Sequence, residues 1–62
     1  MLTQQQVLEV FDSFGDQFVH HNALQARLRG MGHDTEEVAN AVTAAVQDGA
    51  LVLDTIGQLR RR

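Results

Sequence analysis

Three times along this chain a residue suited to cap a helix is followed three positions later by glutamine or glutamate: Thr3 with Gln6, Asn22 with Gln25, and Asp34 with Glu37. In such a capping box the first side chain accepts from the third helical N–H, while the longer side chain accepts from the cap residue's own N–H. Each pair opens a segment with helical apolar spacing, so the chain is committed to three helices before its other features are weighed. Gly15, Gly30 and Gly49 fall where those helices should stop and a left-handed residue is favoured.

The first helix, about Gln4 to Phe14, sets Val7, Val10, Phe11 and Phe14 at i, i+3, i+4 and i+7. Leu2, just before the cap, is placed to fold onto Val7 as a hydrophobic staple. The second helix, about Ala23 to Arg29, offers Leu24 and Leu28 and is too short to be stable without packing. The third, about Thr35 to Asp48, carries Val38, Ala41, Val42, Ala45 and Val46 on one face.

After Gly49 the apolar period falls from 3.6 to 2, and Ala50 to Asp54 and Gln58 to Arg61 read as two strands. A type I turn with Gly57 left-handed joins them, setting Leu53 opposite Leu59, Val52 opposite Arg60 and Asp54 opposite Gln58. Gln17 to Val19, between the first two helices, is long enough for a short strand that can add to this hairpin. The expected fold is therefore α+β: three helices followed by a C-terminal β-hairpin. Its expected core is Val7, Val10, Phe11, Phe14, Phe18, Leu24, Leu28, Val38, Val42, Val46, Leu51, Leu53 and Leu59.

At 62 residues the chain reads as one small domain, of a size that often leans on a disulfide, a metal or a partner chain. Cysteine is absent, which excludes disulfides, thiolate metal sites and a cysteine nucleophile. Lysine is absent too, and with it Schiff-base chemistry. Only three aromatics, Phe11, Phe14 and Phe18, are available, too few for base-stacking recognition of single strands. No apolar run approaches a membrane span, and the first residues lack a signal peptide's basic start and apolar stretch. A small acidic cytoplasmic protein of net charge −3 is expected.

Helix, short strand, helix, helix and hairpin is an order that resembles the winged helix-turn-helix family. The stretch from Asn22 to Asp54, NALQARLRGMGHDTEEVANAVTAAVQDGALVLD, carries the resemblance, followed by the wing-like TIGQLRR of Thr55 to Arg61. The resemblance implies that Thr35 to Asp48 is a recognition helix entering the DNA major groove and that Thr55 to Arg62 is a wing touching backbone or minor groove. The chain departs from that pattern in its charge. Its third helix has no arginine or lysine, and Asp34, Glu36 and Glu37 gather at its start, where they suit the helix dipole but would face phosphates.

Other chemistry-bearing residues have plainer roles. His20, His21 and His33 form no His-x-x-x-His helical pair; His21 and His33 each precede an expected cap residue, which gives them packing roles and no metal site. Gly30-Met31-Gly32 follows a helix and lacks the later glycine and lysine of a phosphate loop, so it reads as a helix stop and turn. Ser13 is the only serine and has no base beside it in sequence; no catalytic residue and no cofactor are expected. Ala39 and Ala44 lie off the core stripe, where alanine's helix propensity accounts for them.

Two functions remain open. One is a non-enzymatic interaction module that binds protein, a partner or a second copy as a homodimer, through Glu36, Glu37, Asn40, Thr43 and Gln47 and the wing. The other is a regulator that binds double-stranded DNA. There Asn40, Thr43 and Gln47 read bases while Arg27, Arg29, Arg60, Arg61 and Arg62 hold phosphates. The terminal arginines also fit a charged edge strand that discourages unwanted pairing.

Overall fold

Helix α1, Gln4–Ser13, starts with the expected capping box: Thr3 Oγ1 accepts from the Gln6 N–H at 3.2 Å, and Gln6 Oε1 accepts from the Thr3 N–H at 2.8 Å. The structure, a computed structural model, describes residues 2–62. Val7, Val10 and Phe11 form the buried face of α1, and Leu2 joins them in the core. Phe14, expected in the core, is half-buried against it.

Strand β1, Phe18–His20, runs without a loop into helix α2, His21–Gly30. That junction moves the cap. His20, not Asn22, is the capping residue, its Nδ1 accepting from the Asn22 N–H at 3.1 Å. Asn22 therefore lies inside the helix, and the Asn22–Gln25 box does not form. At the other end Gly30 is helical, and Gly32 at φ +97° is the left-handed residue. The N–H of Gly32 donates to Arg29 O and that of His33 to Leu28 O, the paired bonds of a Schellman close. The helix ends at Gly30, but the left-handed residue expected there is Gly32, two residues on.

Helix α3, Thr35–Gln47, is capped by Asp34, whose Oδ2 accepts from the Glu36 N–H at 3.1 Å. Glu37 does not complete the expected box. Its carboxylate sits 3.5 Å from His33 Nδ1 instead. Val38, Val42 and Ala45 are buried, while Val46, expected in the core, is half-buried. Gln4 Nε2 donates to Asp48 Oδ2 at 2.9 Å, tying the start of α1 to the end of α3.

Strands β2, Leu51–Leu53, and β3, Gln58–Arg61, pair in the register read from the sequence, with Leu53 opposite Leu59 and Val52 opposite Arg60. Asp54 Oδ1 organises the intervening turn, accepting from the N–H groups of Ile56 and Gln58. The sheet is antiparallel with order β1-β3-β2, so the last strand of the chain is its centre. The domain is α+β, with the three helices packed on one another and α2 and α3 also against the sheet.

Two core assignments are corrected. Phe18 is 45% exposed, because Val19 pairs with Leu59 on the core side and alternation turns Phe18 to the far face beside Arg60. Leu53 is 48% exposed although it shares Leu59's face, because it is the last residue before the turn. Val19, Leu2 and Ala45 complete the core.

These placements separate two leucines that a pattern would treat alike. Leu59→Ala, at full burial, should cost about 2–5 kcal/mol in urea unfolding, while Leu53→Ala should cost about 1 kcal/mol. In the turn, Gly57 has φ +87°, and a Cβ there would come within 3.0 Å of His20 Nε2 and 3.1 Å of His21 Cδ2. Gly57→Ala should lower stability by about 1–2 kcal/mol, read as a lower urea midpoint.

Candidate interaction surface

The stripe Glu36, Asn40, Thr43 and Gln47 is exposed along α3, with Glu37 half-exposed beside it. The structure divides these residues between two depressions. Glu36, Glu37 and Asn40 line a shallow hollow of about 470 Å³ with Leu2, Asp34 and Ala41. Thr43 and Gln47 instead border a groove of about 460 Å³ whose apolar surface is Val42, Val46, Leu53 and Leu59. Asp54, Thr55 and Gly57 of the hairpin turn and His21 and Gln25 of α2 complete that groove.

The hairpin is held over the groove by local bonds. The His21 N–H donates to Gly57 O at 3.0 Å, fastening the turn to the start of α2. The His20 and His21 rings stack at 4.6 Å against Gly57, because the chain changes from strand to helix between them. Had the strand continued, the two rings would have pointed apart. Among the described residues no cluster of three or more metal-ligating side chains occurs. Ser13 Oγ donates to Val10 O at 2.6 Å, a back-bond within α1 that occupies its hydroxyl proton.

The arginines lie elsewhere. Arg27 stacks 5.1 Å above the Phe14 ring, and Arg61 Nη1 donates to Asp12 Oδ2 at 2.7 Å, so both gather at the C-terminal end of α1. Arg60 stands between Phe18 and Val52 on the face of the sheet away from Leu59. Arg62 rests on the Gly49 turn, its Nη1 2.9 Å from where a Cβ would stand. Arg29 is exposed in the last turn of α2. No arginine lines either depression beside α3.

Sequence reasoning identified the α3 stripe but missed the groove that its C-terminal half borders. The sequence pattern puts Leu53 in the core, gives His21 and Gln25 no surface, and places Thr55 only as the start of the wing. One signal was present: Ile56, now 69% exposed, is a large apolar residue inside a turn, where glycine, asparagine, aspartate and serine prevail. Comparison with protein-family models, curated proteins and solved structures gives no match for this chain. Among the described residues, no helix is long and apolar enough to cross a membrane.

Because the Arg61 and Asp12 side chains are 46% and 58% exposed, their ion pair is screened by solvent. Arg61→Ala should therefore change stability by no more than about 1 kcal/mol, with the difference shrinking in high salt when urea midpoints are compared.

Proposed function

We propose that this chain is a non-enzymatic interaction module of winged-helix type that works in the cytoplasm and binds a protein through α3 and the hairpin wing. One observation carries the reading: a groove with apolar walls, flanked by exposed Leu53 and Ile56, lies between α3 and the wing and has no lysine or arginine lining it. Protein interfaces are built in this way, around buried apolar anchors with a polar rim. Glu36, Glu37, Asn40, Thr43 and Gln47 supply that rim. A surface for phosphates needs arginine or lysine beside the reading helix. Here Arg27 and Arg61 are engaged with Phe14 and Asp12 instead.

The test is affinity capture with the immobilised chain, comparing wild type with the double variant Glu36→Lys and Glu37→Lys and with Thr43→Arg. Both variants alter exposed or half-exposed positions and should keep the wild-type amide spectrum. Each should weaken capture of the wild-type partner at least about fivefold, equivalent to roughly 1 kcal/mol. Equal capture by all three proteins would remove this surface from the interaction. A parallel titration with a generic DNA duplex at low salt separates the regulator reading. Salt-sensitive shifts at Asn40, Thr43, Gln47 and the terminal arginines would replace the protein-binding reading with the DNA-binding one.

A further inference from the structure

The groove and the hollow flank the exposed stripe of α3 on opposite sides, the groove along its C-terminal half and the hollow along its N-terminal half, and together they define the chemistry of an occupant. The groove offers apolar contact from Val42, Val46, Leu53 and Leu59. Moving toward the N-terminus of α3, Thr43 and then Asn40 lead into the hollow, where Asp34, Glu36 and Glu37 stand. Glu36 and Val46 are ten positions apart on one helix, about 15 Å at the rise of an α-helix. Asp34, Glu36 and Glu37 line the hollow and Asp54 the groove, with no lysine or arginine lining either; the imidazoles beside them are His33, 3.5 Å from Glu37, and His21 in the groove.

We infer that this surface receives an amphipathic helix of another protein, with aliphatic anchors in the groove and lysine or arginine in its last turn beside Glu36 and Glu37. The inference rests on the protein-binding reading and adds the partner's chemistry to it. An antiparallel orientation against α3 follows from the charges. It brings the partner's C-terminal end, where cations complement its own helix dipole, to the acidic first turn of α3. Anchors spaced i, i+3, i+4 and i+7 place aliphatic side chains on one face, as in other helix-in-groove complexes. Ile56 sits between the groove residues Thr55 and Gly57 and remains exposed, positioned to contact the docked helix from the wing side.

A second copy of this chain does not supply such a helix. Its nearest equivalent is α2, where Leu24 and Leu28 alternate with Arg27 and Arg29, but both leucines are fully buried in their own core. Of the exposed large apolar residues, Phe18, Met31, Leu53 and Ile56, only Leu53 lines the groove and Ile56 adjoins it, on the side that carries Asp54, so apposing two copies there would bring like charges together.

The test titrates the isotopically labelled full chain with two synthetic helical peptides of about 16 residues. Both carry leucines at i, i+3, i+4 and i+7; one ends in three lysines and the other in three glutamates. The lysine peptide should shift the amides of Thr43, Val46, Gln47, Leu53 and Ile56 and bind at least about tenfold more tightly at low salt. Glu36→Gln with Glu37→Gln should erase that preference, and Leu53→Asp, checked for a retained amide spectrum, should remove binding. If Leu53→Asp loses that spectrum, Thr43→Arg takes its place as the blocking variant. Equal affinity for the two peptides would overturn the inferred charge rule while leaving the protein-binding reading intact. Groove shifts that appear only as the chain's own concentration rises would identify a second copy as the occupant and overturn the inference. If neither peptide shifts the groove at about 1 mM while a DNA duplex shifts Asn40 and Arg60, the protein-binding reading fails as well.

Discussion

The pairing of Leu59 with Val19 on one side and Leu53 on the other holds the two halves of this molecule together. Strands β1 and β2 are three residues each, too short to persist as separate pairs, and both depend on β3 lying between them. Leu59 also points fully buried into the cluster formed by Leu24, Leu28, Val38 and Val42. One residue thereby joins backbone pairing across the sheet to side-chain packing under the helices. The groove depends on the same arrangement, since its wall is Leu59 and its rim is the turn that β3 anchors.

Much of this fold is written in local chemistry, and the parts that are not have a physical reason. The Thr3–Gln6 box, the α3 stripe, the hairpin register and the turn at Gly57 are decided within a few residues, and each was legible. The β1–α2 junction was not. Asn22 is the better cap by type, yet β1 pairs with β3 through to His20 and Gln58, so the helix begins at His21 and a histidine nitrogen must serve. The same long-range pairing chose Val19 over Phe18 for the core, a choice that a three-residue strand with two large apolar side chains leaves undecided. Gly32 took the left-handed place from Gly30 because the helix runs through Gly30 and Met31 serves as its C-cap. The α3 polar stripe was visible as a helical face; the groove was not, since it joins residues from α2, α3 and the hairpin.

Charge is sorted across this small surface more sharply than the overall balance suggests. Arg27 and Arg61 collect around Phe14 and Asp12, at the end of α1. The acids Asp34, Glu36 and Glu37 occupy the opposite role, at the first turn of α3, where the helix dipole favours them. A net charge of −3 spread evenly would give a surface with little preference. Sorted in this way it gives α3 a direction, acidic at its start and bordered by the apolar groove along its last turns, and a binding partner can read direction as well as shape.

The sheet order has a consequence for how the chain acquires its structure. β1 and β2 are not neighbours, so neither has a strand to pair with until β3 is present, and β3 follows every helix in the sequence. Val19 meets Leu59 across a separation of forty residues, a closure whose entropy must be met before the contact is gained. The helices can gather from nearer contacts, leaving the edges of β1 and β2 without partners in the interval. During synthesis, then, the segment that completes the sheet is also the one that leaves the ribosome after the other five elements, and the nascent molecule has no sheet until it does.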